Sequence, residues 1–170
     1  VVENGIAYLG HMRAPHGTTL VDVRDPKNPK ELAHIAMPPG THSHKVRVAG
    51  DIMVVNQEIN GNDKSPVPAD FKPGFGVWDV SKPATPKLIH RWETTGQGVH
   101  RFDMDERHVY LSATMEGYVG TIVLIMDLAD PSRPREAGRW WMPGQWTAGG
   151  ETPTWVRNAH RCHHPLRRGN

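Results

Sequence analysis

A chain of 170 residues with 22% charged and 37% hydrophobic residues has the make-up of one globular domain, long enough to bury a core. Its apolar runs fall well short of the roughly 18 residues of a membrane span, and a net charge of +2 with only Arg167-Arg168 and nearby histidines clustered argues against nucleic acid as a partner. A single cysteine, Cys162, excludes an intrachain disulfide and favours a reducing, cytoplasmic setting, while eleven histidines bring in the commonest metal ligand.

In chain order, VVENGIAYLG (1–10) lacks an initiator methionine and a signal-like apolar core, so the chain reads as processed, trimmed or partial. Its residues predict two short strands around the turn Glu3-Asn4-Gly5. TLVDVRDPKNPKEL (19–32) predicts a strand stopped by two prolines, each fixing φ and removing a backbone donor, and KELAHIAM (30–37) predicts the next strand. HKVRV-AGD-IMVVN (44–56) is again a strand pair about a polar turn. After the long loop 57–74, GVWDVSKPATPKLI (76–89) repeats the Asp-and-two-prolines frame; HRFDM-DER-HVYLS (100–112) repeats the pair, and LIMDLADPSRPREA (124–137) the frame once more.

The frame aspartates Asp22, Asp79 and Asp127 are 57 and 48 residues apart (79 − 22 and 127 − 79), a period near that of propeller blades. An aspartate inside an apolar strand is explained by a side chain that accepts backbone N–H groups of the following turn. Each unit is thus four short antiparallel strands. The predicted fold is all-β: about three four-stranded antiparallel blades of a larger β-propeller, in one partial domain with units near 1–41, 42–97 and 98–160 and the start of another at 161–170.

The L-V-D-V-x-D-P-x-x-P frame resembles the LVIVD-type repeat, in three degenerate copies over almost the whole chain, with departures at Trp78, Lys82 and Leu128. The resemblance implies a propeller and no particular activity. Because propellers typically close with four to eight blades, the expected partner is a second chain, in a hetero-oligomer, or a missing segment that completes the ring, failing which the chain closes a ring with copies of itself.

Counting back six residues from Gly50, Glu106 and Gly169 gives His44, His100 and His163, each at the start of the strand that is innermost in a propeller. Equivalent inner-strand positions face one axis, so these imidazoles are the predicted ligands of a transition metal, with iron, copper, manganese and zinc all suited to neutral imidazole. Carotenoid-cleaving oxygenases, with an iron on axial histidines, are similar in that arrangement alone. A ring of histidines that binds only channel water or backbone is the plainer reading.

His42 and His160 are further candidates as ligands or as groups that orient them; Lys45, Arg101 and His164 follow the axial positions and face the other way. Glu58 and Glu116 are expected in connections, where a carboxylate can act as general base, and Arg101 and Arg161 can hold an anion. The tryptophan-rich segment 140–160 offers Trp146 and Trp155 as walls of a pocket for a small organic substrate. Together these residues predict a metal-dependent enzyme that activates water or oxygen. The alternative is a non-catalytic propeller whose tryptophan loop anchors a protein partner. No phosphate loop, cysteine pair or G-x-S-x-G elbow is present.

Overall fold

The computed structural model describes residues 1–155 and 161–167. Among them are thirteen strands and one short 3-10 turn, Thr147–Gly149. The first sheet runs β1 (Val2–Glu3), β2 (Ile6–Gly10), β3 (His16–Asp22) and β4 (Lys30–Ala36), every neighbour antiparallel. In the second, an inner strand in two parts, β5 (Thr41–His42) and β6 (Val46–Ala49), pairs with β7 (Ile52–Ile59), followed by β8 (Gly74–Asp79) and β9 (Lys87–Glu93). The third repeats the order with β10 (Val99–Met104), β11 (His108–Thr114), β12 (Thr121–Asp127) and β13 (Arg135–Trp140).

The repeat is visible in detail. Asp22, Asp79 and Asp127 each close the third strand and accept the backbone N–H two residues on, at 3.0, 2.8 and 2.8 Å, as a side chain that caps a turn does. Two residues before each aspartate, at Leu20, Val77 and Ile125, the third strand slips register against the fourth, a bulge at one equivalent place in all three sheets. Asn4 and Gly5 take φ of 50° and 75°, as the tight first hairpin requires.

Alternation along the strands gives the first and third sheets one buried apolar face and the second sheet two, and these pack sheet on sheet. Tyr8 and Leu20 of the first sheet meet Val46, Met53 and Val55 of the second, and Val54, Phe75 and Val77 of the second meet Phe102, Leu111 and Leu124 of the third. Phe75, Phe102, Leu111 and Leu124 have no solvent exposure. The chain is therefore all-β, three consecutive four-stranded blades of a β-propeller. Among the described residues no helix is long and apolar enough to cross a membrane.

Candidate metal centre

The site grows from an irregularity of the inner strands. Between the pairs His42↔Glu58 and Val46↔Val55, β5–β6 advances four residues while β7 advances three (46 − 42 and 58 − 55). In the third sheet Val99↔Ala113 is followed by Arg101↔Ser112, two residues against one. Both bulges fall at the expected axial histidines, His44 and His100, and an inner-strand bulge re-aims the side chain it carries. The gap in the second sheet's ladder is bridged by Asn56, whose Oδ1 accepts the Lys45 N–H at 2.8 Å.

Four imidazoles follow one another at the shared end of the sheets, with ring centroids 4.5 Å apart for His42 and His44, 5.4 Å for His44 and His100, and 5.0 Å for His100 and His163. The structure thus brings the three sequence-predicted histidines into one row. Glu58 is the hub. It lies within β7, 7% exposed, and not in a connection as expected. Its Oε2 is 2.8 Å from His42 Nε2 and 3.7 Å from His44 Nδ1, and its Oε1 is 2.9 Å from His100 Nδ1. An ionised carboxylate only accepts, so His42 Nε2 and His100 Nδ1 both carry protons and donate. That leaves His42 Nδ1 buried without a partner.

The electrostatics suit a cation. Burial, reinforced by His42 and His100 and opposed by Glu58, pushes His44 down to about 3, so this imidazole is neutral and keeps a lone pair. Burial raises the Glu58 carboxyl, but hydrogen bonds from His100 and His42 outweigh it and hold the group below the usual carboxylate range. Among the described residues, His42, His44 and Glu58 each offer a donor atom within 4.8 Å of the others, a spacing at which three donors can share one ion.

The next blade's histidine is fixed from the blade before it. Buried Asn56 donates from Nδ2 to the carbonyl of Val99 at 2.9 Å, the residue preceding His100. Ser112, its equivalent in β11, donates its hydroxyl to the carbonyl of Cys162, the residue preceding His163. At the matching place in β2 stands Gly10, where an added Cβ would sit 2.7 Å from the backbone of both Ser43 and His44. No side chain fits there, and the backbones meet directly.

The remaining candidates are placed as follows. Arg101 is half-buried beside Lys45, His163 and His164, its Nε without a partner. His163 is exposed, and burial, then Arg101, then His100 lower its pKa. Trp146, 40% exposed, stacks on Tyr118 at 6.5 Å and meets Trp141 edge-on at 5.7 Å; the Trp155 ring lies over Gly144. Glu116 is exposed in a turn. His160, Arg168 and Gly169 lie outside the described residues. A cleft of about 550 Å3 between the first two sheets is lined by Met37, Ser43, Gln57, Phe71, Trp78 and Arg91.

Fold and site together define a portion of a β-propeller with a buried histidine–carboxylate group that has the donors and spacing to hold a metal ion. No family model matches the chain, and no curated protein matches it. Among solved structures, the N-terminal domain of Nup159 aligns with 84% of this chain and 30% of its own, at 8% identity and a TM-score of 0.44.

Proposed function

We propose that this chain is the metal-binding portion of a propeller enzyme built from LVIVD-type repeats, in one domain with units near 1–41, 42–97 and 98–160 that further blades complete. The observation that carries it is the buried Glu58 carboxylate shared by histidines from two blades. His42, His44 and Glu58 would hold the ion, with His42 giving up the proton it now donates to Glu58 and the neutral His44 offering a lone pair. His100 holds Glu58 through Oε1, and His100 and His163 line the open side with further imidazole donors. Iron, copper, manganese and zinc all accept such a set. Bound there, an ion would supply activation of water or oxygen. Glu58 keeps a carboxylate beside that water, and Arg101 with Lys45 holds an anionic group of a small organic substrate.

The test is metal content and turnover of the full chain after loading with each ion in turn. About one equivalent retained at this site, lost in His44→Ala along with O2 uptake or ester hydrolysis on a panel of small organic anions, supports the reading. Equal retention by the wild type and His44→Ala refutes it. The second reading, a scaffold for a protein partner, is favoured by the exposure of Trp140 (54%) and Trp146 (40%), large aromatic surfaces of the kind that anchor interfaces; partner binding by metal-free chain would support it.

A further inference from the structure

The cleft of about 550 Å3 between the first two sheets has the volume of a small-molecule site, and β7 separates it from Glu58. Side chains alternate along a strand. Val54 packs toward the third sheet and Val55 toward the first, so Gln57 faces the cleft and Glu58 the other side.

One wall is peculiar to this blade. The second strand joins the third through residues 11–15 in the first sheet and 115–120 in the last, but through 60–73 in the middle one. A longer connection costs more closure entropy, and connections of that length are commonly functional. This one is tied at both ends. The Asn60 N–H donates to the Gly40 carbonyl at 2.8 Å and the Thr94 N–H to the Pro73 carbonyl at 2.9 Å, and its Pro68 and Phe71 line the cleft.

The floor holds two unmatched polar atoms. Gln57, 3% exposed, keeps Oε1 without a hydrogen-bond partner, and the buried Trp78 Nε1–H lacks one as well. These side chains are neighbours. A Cβ on Gly76 would lie 2.8 Å from Trp78 Nε1 and 3.5 Å from Gln57 Nε2, so indole and amide both overhang that glycine, which pairs with Val55 and Arg91 on the adjacent strands. A buried polar atom left unpaired costs free energy, and both side chains line the cleft. The terminal torsions of an amide and an aromatic ring are broad, so a small rotation presents either atom to a ligand.

The remaining lining sets what fits. Buried Met37 and Val55, with Phe71 and the Trp78 ring, make the interior apolar and aromatic. The rim sets Asp70 and Glu93 against Lys72 and Arg91, all exposed, so its charges cancel and select neither an anion nor a cation. A flat ring suits aromatic walls, while Gln57 Oε1 calls for a donor and Trp78 Nε1–H for an acceptor. We propose that the cleft binds a small, uncharged, planar heterocycle with an N–H beside a C=O, the edge of a lactam or imide. Its N–H donates to Gln57 Oε1 and its carbonyl accepts from Trp78 Nε1.

The probes are 2-quinolone and N-methyl-2-quinolone, which differ only at that N–H, titrated into the metal-free full chain so that the result is independent of the Glu58 site. By NMR, 2-quinolone is expected to shift the Trp78 indole N–H resonance saturably, that resonance being the one lost in Trp78→Phe. The N-methyl compound should bind at least about tenfold more weakly. Gln57→Leu is expected to abolish that preference, and Gly76→Ala, whose methyl displaces the indole, to weaken 2-quinolone at least about tenfold. Circular dichroism checks that the variants fold, and the comparison of the two probes on the wild type decides the matter if they do not. No shift of that resonance at about 1 mM probe, equal affinity of the wild type for both probes, or an undiminished preference in folded Gln57→Leu overturns the inference.

Discussion

Glu58→Gln isolates the charge at the hub of the proposed site while conserving its volume, so no cavity is made. Glu58 accepts hydrogen bonds from His42 at 2.8 Å and from His100 at 2.9 Å, with its side chain 9% exposed. An amide keeps one acceptor and turns the other oxygen into a donor, which forces one ring to change tautomer. Hydrogen bonds to a charged group contribute about 1.5–3 kcal/mol and neutral ones about 0.5–1.5, so neutralising two of them costs about 2 kcal/mol. Relief of carboxylate burial works the other way, and the expected net loss for metal-free chain is about 1 kcal/mol. The metal response is larger. At 100 times its dissociation constant an ion adds about 2.7 kcal/mol, equivalent to about 5–10 °C of melting temperature at this chain length. Scanning calorimetry with and without Zn2+ should show that rise for Glu58 and none for Glu58→Gln. An equal rise in both would refute the assignment of Glu58 as a ligand.

Asn56→Ala removes a donor to Val99 and an acceptor of the Lys45 N–H at a site with no exposure; urea unfolding should show a loss of about 2–4 kcal/mol, and dialysis about tenfold weaker metal binding. Gly10→Ala forces a methyl against the backbone of Ser43 and His44, with an expected loss of about 1–3 kcal/mol and weaker binding at the Glu58 site; unchanged affinity would show that the two backbones can separate freely. Stability should fall with acid. His44 is lowered from 6.5 to about 3 and Glu58 is lowered from 4.5, so the unfolded chain takes up these protons first. The His44 contribution is complete above pH 6.5 and lost as pH falls from there toward 3, at no more than about 1.4 kcal/mol per pH unit; the Glu58 contribution is lost below its unfolded value in the same direction. Urea melts between neutral and about pH 5 should show this slope, and His44→Gln should flatten it.

The sheets were legible because their causes are local. The proline pairs end strands wherever they stand, the aspartates cap the turns they precede, and the recurring frame places His44 and His100 at one position of successive units. His42 was visible as a candidate and Glu58 as a carboxylate to watch, but the predicted connection at Glu58 is the buried end of a strand. The missed signal was available in part: IMVVNQEI continues an apolar and amide run through Glu58, and its length exceeds that of a strand ending at Asn56.

The order of side chains along the chain settled the repeating strand-and-turn pattern, the blades it builds and the shared position of the inner histidines, since each depends on backbone preferences within a few residues. Which donors meet was decided only in the folded molecule. Bulges at His44 and His100 re-aim rings, and Asn56 and Ser112 hold the carbonyl before the next blade's histidine. Side chains distant in sequence converge through cross-strand register and blade-to-blade packing, and a single extra residue in one strand changes which of them face each other.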